Sequence, residues 1–402
     1  MNSTVSRYSP RMRFVTALIG LLVLPLTSLA AEFRHPGVLL NREQLELIKQ
    51  RVAQSVEPQK TAFVAMLASP YADLAYAPSP RAVVECGPYS RPDLGCKDER
   101  RDSAAAYAQA IAWFVTGNER YARNAIRIMN AWATTLTGGH TNRNGPIQAA
   151  WTASVWPRAA EIIRHTSAFW PAEDIARFER MLREQYVPSI KDGSTENGNK
   201  ELAMAEALMN IGVFCEDRPL FDAGVKMWRG RAPAYIYLAK DGPGPILPPS
   251  GETPFWGNKG KTTPYVDGLL QESMRDPHHA NMGFASLVNA AETALQQGID
   301  LYSEQGDRIV AAMEFQAQYL PPHGAKPPEN LEFSLQPTWE IAFNHFHHRL
   351  GRPIPRMAKV IPTNRPTGAD MNHIVWETLT HGDVGAVGLG SEAGATKPAK
   401  PF

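Results

Sequence analysis

The stretch Gln271-Glu272-Ser273-Met274-Arg275-Asp276-Pro277-His278-His279 packs two carboxylates, a guanidinium, an amide and two imidazoles into nine residues. It opens a small-residue run from Asn281 to Leu295. That places it at a loop-to-helix junction, where polar side chains converge on a pocket rather than a core. His278 and His279 can move protons because an imidazole titrates near neutrality, and Arg275 can grip a carboxylate through two parallel hydrogen bonds. Asn197-Gly198-Asn199-Lys200 adds amides and an ammonium without a carboxylate. Such donors neutralise a substrate carboxylate and stabilise the enolate that forms when a neighbouring C–H is deprotonated. Tyr265 is a second acid or base if a neighbouring cation lowers its phenol; an amphipathic packing ring is the alternative. The chemistry these residues share is proton transfer on an anionic substrate.

A third polar cluster, His140-Thr141-Asn142-Arg143-Asn144-Gly145-Pro146-Ile147-Gln148-Ala149-Ala150-Trp151, supplies Gln148 and Trp151. Trp151, Trp156 and Trp256 are candidate sugar-stacking platforms, whereas Trp113, Trp132 and Trp228 fall at core positions of helices. The expected catalytic set is Asn199, His279, Tyr265 and Arg275. The expected substrate-binding set is Lys200, Asn197, Gln148, Trp151, Glu272, His278 and Trp256. His345 and His348 are three apart and permit a metal pair on one helix face, but no matching carboxylate or histidine pair is evident elsewhere, and Glu340 or Asn344 facing the cleft is the preferred reading of that stretch.

The elements that must position these clusters are helical. Apolar residues recur at helical intervals over Arg42 to Val52, with Asn41 as N-cap, and then in pairs. Ser103 to Val115, capped by Asp102, pairs with Arg120 to Leu136. Ile147 to Thr166 pairs with Ala172 to Tyr186, Glu201 to Phe214 with Leu220 to Arg229, and His279 to Gln296 with Ser303 to Gln318. Repeated pairs of this length predict an all-α array in which each pair buries its apolar face against its neighbours. Strand signals are scarce. Each polar cluster precedes a helix of the array, so in a closed α/α toroid they would surround a single cleft; periodicity does not separate that closed form from an open solenoid.

The chain ends bound this array. Arg7, Arg11 and Arg13 precede an apolar run from Phe14 to Leu26 and a small-residue cleavage site, which predicts a signal peptide over residues 1–30 and a periplasmic or secreted product. A domain over 31–386 and a disordered tail over 387–402 complete the division. Balance between 41 Lys+Arg and 40 Asp+Glu, net +1, gives no basic excess for nucleic acid or a membrane surface. Export makes a disulfide between Cys86 and Cys96 the expected state of their turn-rich loop, and Cys215 reads as a buried free thiol. Neither a metal nor an organic cofactor is expected, and a monomer is.

These residues resemble the secreted alginate-lyase-domain proteins, in particular those similar to polysaccharide lyase family 38. The resemblance rests on His35-Pro36-Gly37, Asp102-Ser103-Ala104-Ala105-Ala106-Tyr107 with Thr116-Gly117-Asn118, and Asn197-Gly198-Asn199. It also rests on Gln271-Glu272-Ser273 and Arg275-Asp276 with His279, Gln297-Gly298-Ile299-Asp300-Leu301-Tyr302, and Thr338-Trp339-Glu340. It implies an (α/α) toroid, an incomplete α/α barrel, and β-elimination on a uronate polysaccharide such as alginate, polymannuronate or glucuronan. Asn199 is similar to the asparagine that neutralises the uronate carboxylate. Lys200 stands where the mannuronate-lyase branch commonly has histidine, and His279 where that branch has its tyrosine, so the base and acid roles fall to His279 and Tyr265. Two alternatives remain: a glycoside hydrolase using a pair among Glu252, Glu272, Asp276 and Glu340, and a non-catalytic binding protein for anionic glycans.

Overall fold

The computed structural model describes residues 1, 2, 4–6, 32–167, 169–251, 256–370 and 372–389. The expected signal peptide from residue 7 onward, Glu252, and the tail beyond residue 389 lie outside the described residues. The folded unit begins at Phe33, and residues 1–32 form a unit of their own.

Helices α1 (Arg42–Ala53) and α2 (Gln59–Leu67) lead into a short sheet of β1 (Val84–Cys86) and β2 (Asp93–Leu94), then α3 (Cys96–Thr116) and α4 (Glu119–Thr135). Strand β3 (His140–Thr141) completes the sheet in the order β2-β1-β3, with Glu85 opposite Leu94 in the antiparallel pair and opposite Thr141 in the parallel one. There follow α5 (Gly145–Thr166), α6 (Ala172–Met181) running through a π-helical stretch into α7 (Val187–Ile190), α8 (Gly198–Phe214), α9 (Arg218–Tyr235), α10 (Pro277–Gln296) and α11 (Leu301–Ala317). Three short helices close the unit: α12 (Glu340–Phe343), α13 (Met357–Asn364) and α14 (Glu377–His381).

Consecutive inner helices pack side by side, α3 on α5, α5 on α8 and α8 on α10, while α4, α9 and α11 cover their partners from outside. Burial follows this layering. Every residue of α8 from Leu202 to Phe214 and of α10 from Ala280 to Gln296 is buried, so the inner helices carry apolar and small side chains all round. A Cβ on Gly283 would lie 2.1 Å from the Tyr235 hydroxyl; glycine there lets α9 close on α10. The result is the (α/α) toroid of helical hairpins expected from the sequence.

Caps set the hairpin turns. Gly117 (φ 70) ends α3, and the side chains of Asn118, Asp217 and Asp300 accept backbone N–H groups at the starts of α4, α9 and α11. Asn41 caps α1 in a reciprocal capping box with Gln44. Asp102 does not cap. It lies inside α3, which starts at Cys96 rather than at the expected Ser103; there its buried carboxylate accepts from the Tyr76 hydroxyl (2.6 Å), the Ser79 amide (2.8 Å) and Trp132 Nε1 (2.6 Å).

The disulfide Cys86–Cys96 is present, and Cys215 is a buried free thiol that burial pushes up to about 12. The chain remains docked past the expected boundary, because Val387 accepts from Asn41 Nδ2 (3.1 Å) and Leu389 packs on the core. His345 and His348 do not meet. His345 stacks on Tyr302 at 3.8 Å, and burial brings its imidazole down to about 3, while His348 pairs with Asp383 at 2.9 Å. Glu340 is buried on Arg365, and Asn344 accepts from the Gly385 amide; neither faces a cleft.

Near the chain start, His35 places Nδ1 2.8 Å from Glu161 and Nε2 2.7 Å from Glu216, and the Gly37 amide also donates to Glu161. His165 joins them in a group whose donor atoms lie close enough to hold a metal ion. The His35 and His165 rings stack at 4.4 Å with only 11° between planes, so their in-plane lone pairs do not converge on one ion. The cluster instead pins the first residues of the folded unit to α5 and the α8–α9 turn.

Glu377 is pushed up to about 8 by burial, which outweighs the Thr338 hydroxyl and is joined by the Glu340 carboxylate. The folded state keeps this proton while the unfolded chain releases it, so between the ordinary 4.5 and about 8 its contribution to stability falls as pH rises. Glu377→Gln is expected to flatten that slope, read from urea midpoints at about pH 5 and about pH 8.

Candidate active site

All four inner helices present their N-terminal ends to one cleft of about 680 Å³, a volume usual for a ligand site. Cys96 and Arg100 come from the start of α3, Gln148 and Trp151 from that of α5, Asn197 and Lys200 from that of α8, and His278, His279 and Met282 from that of α10. The positive ends of the helix dipoles therefore surround the space and favour an anion. Side chains reinforce this, since among the described residues Arg100, Arg143, Lys200, Lys259 and Arg275 line it against Glu196 and Asp276.

The opening stretch of the sequence builds one wall. Asp276 caps α10 by accepting the His279 amide at 2.8 Å, and its second oxygen takes His279 Nδ1 at 2.6 Å. Burial alone would raise this carboxyl, but the His279 hydrogen bonds and charge bring it down to about 2. An ionised Asp276 can only accept, so it holds the proton on Nδ1 and leaves Nε2 as the basic atom of the ring. His278 is differently engaged: its Nε2 accepts from Asn372 Nδ2 at 3.1 Å and its Nδ1 faces Gln336 at 3.4 Å. Of the two imidazoles, His279 is the one arranged as a base.

Asn197 faces the cleft and donates to both Asn199 Oδ1 and Glu272 Oε1, each at 2.8 Å. Arg275 donates to the same Glu272 oxygen at 2.9 Å. The loop before α10 is locked to the start of α8 because Gln271 Oε1 accepts the Gly198 amide at 2.8 Å. A Cβ on Gly198 would lie 2.3 Å from that oxygen, so only glycine permits the contact.

Several expected positions move. Tyr265 does not line the cleft; its ring packs on Tyr237 (5.2 Å) and Trp256 (5.9 Å), and Trp256 is buried in a small cluster with Leu269, Met274 and Phe315. Trp156 is core, packed against Trp132. Glu272 is fully buried and reaches no ligand. Gln148 lines the wall, but Arg100 takes its oxygen and its amide donates to Glu99 (2.7 Å) and the Cys96 carbonyl (3.0 Å), so it positions Arg100 instead. Asn199 is buried just behind Asn197 and is not itself a lining residue. Lys200, Trp151 and Arg275 do line the cleft, Lys200 paired with Glu196 and Trp151 covered by the Arg100 guanidinium at 5.7 Å.

Tyr89, Arg100, Lys259 and Asn372 were not anticipated. Tyr89 sits between the disulfide cysteines, lines the cleft, and is 93% exposed and in the left-handed region (φ 55), a conformation that costs roughly 1 kcal/mol in a bulky residue. Its place between two paired cysteines was the available signal. Asn372, a hundred residues from any other part of the wall except α10, had none.

Residues 72–245 match the sequence profile of the alginate lyase family, which supports the expected polysaccharide lyase. No curated protein matches the chain. Among solved structures, alginate lyase A1-III from Sphingomonas species A1 is similar, with a TM-score of 0.51 and 18% identity over 72% of this chain and 79% of that one. A histidine-to-alanine variant of alginate lyase A1-III complexed with a tetrasaccharide gives a TM-score of 0.50 and 19% identity over 71% of this chain and 77% of that one. At such identities these likenesses speak for the fold. The profile match includes the disulfide loop and Asn197–Lys200 and ends before Gln271–His279.

The disulfide holds the Tyr89 loop over the cleft. Replacing both cysteines, Cys86→Ser with Cys96→Ser, is expected to cost about 2–3 kcal/mol in denaturant unfolding. It should also weaken binding of an acidic oligosaccharide in calorimetry through the freed Tyr89 loop.

Proposed function

We propose that this polysaccharide lyase cleaves a uronate-containing polysaccharide by β-elimination, with His279 as base. The observation that carries the reading is the Asp276–His279 pair, whose basic nitrogen belongs to a cleft dominated by cations. Arg275 at the cleft wall, with the Asn199 amide set just behind Asn197, neutralises the uronate carboxylate, which makes the C5 proton removable. Nε2 of His279 takes that proton, the electron pair forms the C4–C5 double bond, and the C4–O4 bond breaks. The imidazolium then returns a proton to O4. With Tyr265 away from the cleft, one group serves both steps. A single group on one ring face suits uronates whose H5 and O4 lie on the same side, as in mannuronate and glucuronate but not guluronate.

The hydrolase reading is weaker, because the two carboxylates among the described lining residues, Glu196 and Asp276, are each ion-paired and Glu272 is buried. Export to the periplasm or beyond is supported by the disulfide and by the Arg-flanked apolar run at the chain start.

Polymannuronate and glucuronan are expected to yield the ultraviolet absorbance of a conjugated 4,5-unsaturated uronate, and polyguluronate little. New reducing ends without that absorbance would establish hydrolysis; binding with neither would establish a binding module. Asp276→Asn keeps a competent helix cap but no longer fixes the tautomer, and should lower kcat by about 100-fold or more. Tyr265→Phe should leave turnover unchanged. Because the recognition is ionic and open to solvent, KM should rise several-fold as salt shortens the screening length from about 10 Å toward about 3 Å.

A further inference from the structure

We infer that Glu272 is a positioning residue that sets the direction of a hydrogen-bond relay through Asn197 to Asn199, and thereby decides which end of the Asn199 amide meets the substrate. The relay stands on geometry; only the task given to Asn199 rests on the lyase reading.

Glu272 is wholly buried with its backbone in the left-handed region, φ 68. That conformation is disfavoured for a residue with a Cβ, so the fold holds it there against local preference. One oxygen, Oε1, receives Asn197 Nδ2 and Arg275 Nη1. Burial holds the carboxyl above its ordinary value, a rise that the Asn197 hydrogen bond and the His279 and Arg275 charges offset only in part, and the Arg275 guanidinium on Oε1 is the contact that favours its ionised form.

The consequence lies in hydrogen-bond polarity. An ionised carboxylate accepts and never donates. Asn197 must therefore turn its NH2 toward Glu272, and the second hydrogen of that NH2 goes to Asn199 Oδ1. With its carbonyl taken by Asn197, Asn199 has its own NH2 left to offer. An NH2 end is what an anionic carboxylate requires; the carbonyl end would repel it. Asn197 Oδ1, buried and without a partner, is left as an acceptor suited to a sugar hydroxyl. Were the group at 272 able to donate, both amides could turn over, presenting a carbonyl to the substrate carboxylate. An amide's two ends are nearly identical in shape, so packing alone does not choose between them. The acceptor-only group at the end of the chain does.

The test is a double-mutant cycle in the full chain, with Glu272→Gln, Asn199→Ala and both together. Glutamine keeps the shape of Glu272 but can show either an oxygen or an NH2. We expect Glu272→Gln to lower kcat/KM about ten-fold or more alone, and by less than about three-fold in the Asn199→Ala background. Glu272→Asp, still acceptor-only, should recover part of the loss, and the Tm shifts of the two single variants should add. Equal losses in both backgrounds, or Glu272→Asp no better than Glu272→Gln, would overturn the relay. The same cycle read as the Kd of a mannuronate oligosaccharide keeps the test independent of turnover. A wild-type chain that binds but makes no unsaturated product would defeat the lyase reading, while the coupling in Kd would still decide the relay.

Discussion

Ionised carboxylates that can only accept hydrogen bonds organise this cleft. Asp276 does so twice, closing the first turn of α10 and fixing the proton of His279 on Nδ1. Glu99, although burial pushes it up, is held low chiefly by His140, with further hydrogen bonds from Gln148 and Tyr186. Through Gln148 it orients Arg100 at the opposite wall. Glu272 completes the set between Asn197 and Arg275. In each case a buried or half-buried acid, costly to place away from water, is retained by hydrogen-bond donors, and at least one of those donors lines the cleft: His279 for Asp276, Gln148 for Glu99, Asn197 and Arg275 for Glu272.

The helical layers make this arrangement possible. Inner helices that pack side by side in the same direction bring four N-termini to one end, so helix dipoles add to the cationic side chains. Their closeness depends on alanine and glycine at the inner positions, with Gly283 against Tyr235 and Gly198 against Gln271 as the tightest points. A larger side chain at either would push apart the elements carrying His279 and Asn197.

Much of this was legible along the chain. Helical periodicity with Gly117-Asn118, Asp217 and Asp300 at the turns gave the hairpins within a few residues, because capping chemistry is local. The stretch Gln271–His279 and the run Asn197–Lys200 declared themselves by composition. Errors arose where a local pattern had a distant competitor. Asp102 has the form of an N-cap, but Tyr76 and Trp132 claim it from other elements. Tyr265 and Trp256 have the chemistry of a phenol base and a sugar platform, but Tyr265 packs on Tyr237 and Trp256 away from the cleft, and Leu269, Met274 and Phe315 bury Trp256.

The amino-acid sequence by itself determined the all-α array, the disulfide loop and the residue types of an acid–base site for an anionic substrate, since these follow from periodicity, spacing and side-chain chemistry within short windows. Only the tertiary structure decided which of those side chains share a cleft, which imidazole has a free basic nitrogen, and that Glu272 and Gln148 act from behind the wall. Those outcomes depend on contacts between residues tens to hundreds of positions apart, and hydrogen-bond direction is a property of the assembled network rather than of any residue in it.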